Sequence, residues 1–182
     1  MFGRAFSGEE HTAFRLNGGL PAALLVHGFP GSPAEMRPLA EALHAAGWTV
    51  DALLLPGFGA NIDTLPERRY EAWTAAVRAS LTDLRRDHDM IVLIGYSMGG
   101  ALAVEVAARS AITGLILISP FWKLENTLWS LLPAIRILFP TFPIFKLMRL
   151  DFSDEETRRG IARFLPDVDL DDPLVQREVR EF

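Results

Sequence analysis

Gly95-Tyr96-Ser97-Met98-Gly99 sets a serine between two glycines, each two positions away. That spacing suits a sharp strand-to-helix turn that lifts a hydroxyl out of a sheet, where it can attack a carbonyl carbon. A serine hydroxyl becomes a good nucleophile only when a neighbouring base takes its proton. The chain has four histidines, His11, His27, His44 and His88, and all of them precede Ser97. The pattern therefore announces acyl transfer without placing a base downstream of the nucleophile.

Composition alone yields about 0.05 chance matches to Gly-x-Ser-x-Gly in a chain of this length, so context must decide. The context agrees. Met90–Gly95 reads as a strand, and Met98–Arg109, almost all small or apolar, reads as a helix packed deep against a sheet. A second element is His27-Gly28-Phe29-Pro30-Gly31. Acyl transfer builds negative charge on the carbonyl oxygen, and two backbone N–H groups aimed at that oxygen would stabilise it. Met98, the residue after the serine, and Phe29, in the glycine-flanked loop, are the candidate donors. Taken alone, either motif could also be an ordinary turn.

The elements that position these residues alternate. Ala22–His27 is a short apolar run consistent with a buried parallel strand. Ser32 then precedes Pro33, an N-cap followed by proline at the first helical position, and Gly47 closes that helix. Trp48–Leu55 reads as a strand ended by Pro56-Gly57-Phe58-Gly59, and Tyr70–Arg86 as a helix with Trp73, Ala76, Val77, Leu81 and Leu84 on one face. Gly114–Ser119 is the last expected strand. Such alternation predicts an α/β fold, a three-layer sandwich around a mostly parallel sheet, over residues 1–120. Residues 121–182 lose the strand pattern and read as a helical cap segment, with a capping box at Ser153-Asp154-Glu155-Glu156 and another helix start at Asp171-Asp172-Pro173.

Three motifs in this order, His27 to Gly31, Pro56 to Gly59 and Gly95 to Gly100, resemble the α/β-hydrolase superfamily. More narrowly they are similar to bacterial carboxylesterases and monoacylglycerol-lipase-like enzymes. The resemblance covers roughly residues 20–120 and implies Ser97 as nucleophile, with Phe29 and Met98 as oxyanion donors. It also implies that the segment after Pro120 shapes an acyl pocket, for which Trp122, Trp129 and Phe142 are the candidate lining residues. The expected substrate is a small carboxylic ester with an apolar acyl group, and no cofactor or metal ion is implied.

Members of that family place an acidic residue after a later strand and a histidine after the last one. One strand–helix–strand unit takes roughly 30 residues, so about 60–90 further residues would be needed to hold them. The expectation is a C-terminally truncated hydrolase with impaired activity. Among the histidines present, His27 lies at the strand edge where catalytic groups gather, and it ranks first as a substitute base. Its alternative role is a structural hydrogen bond. A non-catalytic binding protein on the same scaffold, and a thioesterase or amidase, remain open as other readings.

Composition narrows the classes. The net charge is −5, and the excess of acid lies wholly in residues 151–182, so nothing forms a basic footprint for nucleic acid. The absence of cysteine excludes disulfides and thiolate chemistry. Leu128–Leu150 is apolar, but three prolines and three cations argue against a transmembrane segment. Met1–Glu10 has no apolar run, from which a cytoplasmic location is expected. An unprotected Gly114–Ser119 edge is expected to favour self-association.

Overall fold

Ala22, Ala23, Leu24, Leu25 and Val26 have no solvent-accessible surface, and that complete burial marks their strand as the centre of the sheet. The computed structural model describes residues 6–121, 150–162, 165 and 168–181. Within them run β1 (Phe14–Leu16), β2 (Gly19–Val26), α1 (Pro33–Ala45), β3 (Trp48–Leu53), α2 (Tyr70–Leu84) and β4 (Ile91–Tyr96). These are followed by α3 (Met98–Ala107), β5 (Gly114–Ile118), α4 (Glu155–Ala162) and α5 (Pro173–Glu181). A 3-10 turn covers Glu9–His11, and two more, separated by a kink at Asn61, cover Gly59–Glu67.

The strand order is β1-β3-β2-β4-β5, with β1 antiparallel to β3 and every other pairing parallel. Alternation along β2 divides the core into two layers. Ala22, Leu24 and Val26 face α2 and α3, where Val77, Leu81, Leu84, Leu102, Ala103 and Val106 are buried. Ala23 and Leu25 face the other way, toward Met36 and Ala40 of α1. The result is the expected three-layer α/β sandwich. Phe152, Ile161, Leu165, Leu170 and Val179, from the C-terminal stretch, join the core layer of α2 and α3.

Local sequence explains the boundaries. Ser32 is the N-cap of α1, accepting the N–H of Ala34 at 3.3 Å, and Gly47 leaves the helix at φ +90°. Two details differ from the sequence reading. β1 was not expected, because three residues are too few to display a period. At α4 the cap is Asp154, not Ser153: its Oδ2 accepts the Thr157 N–H at 2.8 Å, while Ser153 bonds to Asp151 instead. A carboxylate one position nearer the helix displaces the hydroxyl, and its charge suits the positive helix end.

β5 is the last strand of the sheet among the described residues. Leu115, Ile116 and Leu117 along it are 38%, 46% and 38% exposed, an apolar edge of the kind the sequence implied. No helix among the described residues is long and apolar enough to cross a membrane.

Candidate functional site

Ser97 stands between β4 and α3 with φ 51° and ψ −116°, a conformation that L side chains rarely adopt. Its surroundings hold it there. Its N–H donates to the Ile118 carbonyl at 3.0 Å, and its carbonyl accepts from Gly100 N–H at 3.0 Å and from Phe121 N–H at 2.9 Å. A Cβ on Gly99 would run into the backbone carbonyl oxygens of Val26 and His27, so α3 can start against β2 only with glycine at that position. The serine is half-buried, and Met98 is the first residue of α3, where helix geometry leaves N–H groups without an internal partner.

The loop after β2 lies directly beside this turn. A Cβ on Gly28 would sit 3.1 Å from the Ser97 Cβ and 3.2 Å from the Tyr96 ring, which defines how closely the two backbones approach. His27, fully buried, sets the loop's orientation. Leu55 N–H donates to its Nε2 at 3.1 Å, so the ring proton sits on Nδ1 and is donated to the Gly28 carbonyl at 2.9 Å. The Gly28–Phe29 peptide is trans, so holding its C=O aims the Phe29 N–H the opposite way. Burial pushes the His27 imidazole down to about 4, partly offset by the Gly28 bond. With both nitrogens engaged and the ring neutral, His27 is a structural group and is withdrawn as a substitute base.

Phe58, the aromatic residue of Pro56-Gly57-Phe58-Gly59, is buried under this loop. Its ring meets His27 at 5.0 Å, Phe29 at 6.2 Å and Trp73 at 5.9 Å between centroids. Trp73 in turn donates to the Pro56 carbonyl at 2.9 Å, so α2 clamps the motif from its far side. Phe29 and Phe121 remain about half exposed, which gives the two loops flanking Ser97 an apolar outer surface.

The other histidines go elsewhere. His44, in the last turn of α1, lies 3.3 Å from the Trp48 carbonyl, and His88 follows α2 at the opposite end of β4 from Ser97. His11 is buried and sits 2.7 Å from Ser32 Oγ, with Glu10 3.4 Å from its Nε2. That line of serine, histidine and carboxylate mimics a catalytic triad. Ser32 Oγ, however, is fully buried and already accepts the Ala34 N–H, so it serves as a helix cap tied to the N-terminal turn.

One contact had a signal in the sequence that the motif reading passed over. Ser32-Pro33-Ala34-Glu35 is a capping-box pattern, in which the glutamate ordinarily reaches back to the cap's own N–H. Here Glu35 Oε1 instead accepts the N–H of Gly28 at 2.6 Å. Burial pushes its carboxyl up to about 7, against the lowering effect of the Gly28 bond.

Residues 23–181 match the family described as alpha/beta hydrolase. The chain belongs to this alpha/beta hydrolase family. It is 39% identical over 101 residues to a thermostable monoacylglycerol lipase of Bacillus sp. strain H-257, covering 56% of this chain and 40% of that one. It is 30% identical over 104 residues to a carboxylesterase of Bacillus subtilis strain 168, covering 57% and 42%. Among solved structures, one of the metagenome-derived lipolytic enzymes LipS and LipT superposes with a TM-score of 0.64 at 31% identity. That superposition covers 68% of this chain and 51% of the other. The matched stretch thus spans less than half the length of either curated relative. The chain is thus an alpha/beta hydrolase whose relatives include a lipase and an esterase.

The sequence-derived residues Ser97, Met98 and Phe29 follow the carboxyl ends of the neighbouring parallel strands β2 and β4. The candidate pocket residues Trp122, Trp129 and Phe142 lie outside the described residues. Among the described residues no group of three His, Asp or Glu side chains could hold a metal ion.

Proposed function

We propose that this chain carries the acyl-transfer centre of a serine hydrolase for carboxylic esters with an apolar acyl group. The observation that carries the reading is Ser97 at positive φ with the Gly28 loop packed on its Cβ. Ser97 Oγ attacks the ester carbonyl, and the N–H groups of Phe29 and Met98 hold the oxyanion. The alcohol leaves, an acyl-enzyme remains on Ser97, and water releases the acid. The half-exposed Phe29 and Phe121 beside the serine favour an apolar acyl chain, as does the monoacylglycerol lipase relative.

Proton transfer is the weak step. His27 is committed to Gly28 and Leu55, His44 lies near the Trp48 carbonyl, and His11 bonds to Ser32. Turnover by the 182 residues alone is therefore limited to what binding and the oxyanion donors provide, roughly 10³–10⁴-fold over water. The engagement of His27 also favours a second reading, a non-catalytic ester-binding protein on this scaffold. A serine-directed fluorophosphonate separates the two. Labelling that disappears in Ser97→Ala supports the hydrolase; labelling equal in both proteins removes Ser97 as the nucleophile.

A further inference from the structure

Glu35 is an acidic side chain that bonds to the loop beside Ser97. It stands three residues after the N-cap of α1, the position from which a capping box normally closes on itself. Its Oε1 instead reaches the Gly28 N–H at 2.6 Å. A Cβ on Gly31 would collide with the same carboxyl group, so the loop from Gly28 to Gly31 folds around it. Gly28 is thereby held at both ends: its N–H by Glu35 and its C=O by His27 Nδ1. The second of these anchors, the Gly28 C=O, belongs to the peptide group that carries the Phe29 N–H.

We propose that Glu35 is a positioning residue for the oxyanion loop, acting through Gly28, and that its charge state tunes how well the loop accepts a developing oxyanion. The proposal rests on the reading of Ser97 as nucleophile and adds a residue to it. Either protonation state of the carboxyl can accept the Gly28 N–H through Oε1. Only the neutral one does so without setting a negative charge behind the site where negative charge must form. Burial supplies the means, since a carboxyl pushed up to about 7 changes state near neutral pH. Among the described residues, the titratable groups that reach this corner include His27 from the loop itself, Tyr96 beside Gly28, and His11 and Glu10 from the N-terminal turn, through Ser32. The shift at Glu35 arises from burial and the Gly28 bond, so none of these described groups acts as its charge partner.

Two measurements test it. The first follows the Gly28 and Phe29 amide resonances from pH 5 to 9 in the full chain. Both should titrate together with a midpoint near 7 in the wild type and stay flat in Glu35→Gln. Flat wild-type resonances overturn the proposal whether or not Ser97 reacts. The second is the rate of Ser97 labelling by a fluorophosphonate across the same range. Glu35→Gln should match the wild type at pH 5.5 and exceed it at least threefold at pH 8.5, whereas Glu35→Ala should fall at least tenfold throughout. A Gln-to-wild-type ratio that stays constant with pH, or an alanine variant as fast as glutamine, overturns the proposal. Labelling that survives Ser97→Ala instead defeats the nucleophile assignment and leaves the resonance titration to decide the role of Glu35.

Discussion

Leu55 N–H donates to Nε2 of His27 at 3.1 Å, across the gap between the ends of β3 and β2. This single bond fixes the imidazole tautomer, and with it the orientation of the Gly28 carbonyl on the other side of the ring. The backbone end of one motif thus dictates the geometry of another, 28 residues away.

The acid response should expose this arrangement. His27 has its pKa lowered to about 4 from 6.5, so the unfolded chain takes the proton first, and the stability it contributes is lost as pH falls from 6.5 through 4. Glu35 has its pKa raised to about 7 from 4.5, so its contribution runs the other way and declines as pH rises across 4.5 to 7. Each is worth on the order of 3 kcal/mol at its extreme. The two slopes oppose each other between pH 4.5 and 6.5 and flatten the wild-type profile. Urea melts of Glu35→Gln should show stability rising more steeply with pH in that window than the wild type. Parallel profiles would mean that Glu35 does not titrate there.

Two glycines at the site should behave differently when substituted. Gly28→Ala places a methyl 3.1 Å from the Ser97 Cβ, a tight contact that a shift of a few tenths of an ångström relieves. The expected stability loss is about 1 kcal/mol, with fluorophosphonate labelling reduced at least tenfold because the donor loop moves. Gly99→Ala drives a methyl into the backbone carbonyls of Val26 and His27, where nothing can yield cheaply. A loss of about 4 kcal/mol or outright misfolding is expected. Thermal melts read beside labelling decide the matter, and equal destabilisation by both substitutions would contradict the contact geometry.

The apolar edge should drive association. Ile116 is nearly half exposed on β5, which pairs with β4 on one side. Exposed strands of this kind recruit further strands unless a charge blocks them. Sedimentation velocity should reveal concentration-dependent association of the wild type and a shift toward monomer for Ile116→Lys. A wild type that stays monomeric across a tenfold concentration range would refute the expectation.

Features written in short stretches of sequence were legible. Ser32 before Pro33 marks a helix start, Gly47 marks its end, and the glycines around Ser97 specify a turn that other residues cannot make. The apolar runs at Ala22–Val26 and Ile91–Ile94 identify the inner strands because both of their faces are covered. Contacts between distant segments were not legible. Nothing near His11 says that its ring meets Ser32, since 21 residues separate them and the burial of both comes only with the fold. β1 escaped notice because Phe14-Arg15-Leu16 is too brief, and it is secured by Arg15 bonding to Asp51 and Asp83, on two other elements. From sequence His27 can be a structural bond or a base; the partner at Leu55 distinguishes them.

The sheet register has a consequence for how the site can vary. Val26 on β2 is paired with Gly95 on β4, and the two proposed donors, Phe29 and Met98, each lie three residues beyond that pair. Their separation is inherited from the ladder, in which neighbouring strands run about 4.8 Å apart. The strands act as a gauge block, and the loops merely carry its spacing forward by equal steps. Lengthening the loop after β2 by one residue would misalign the donors while leaving the Ser97 turn intact.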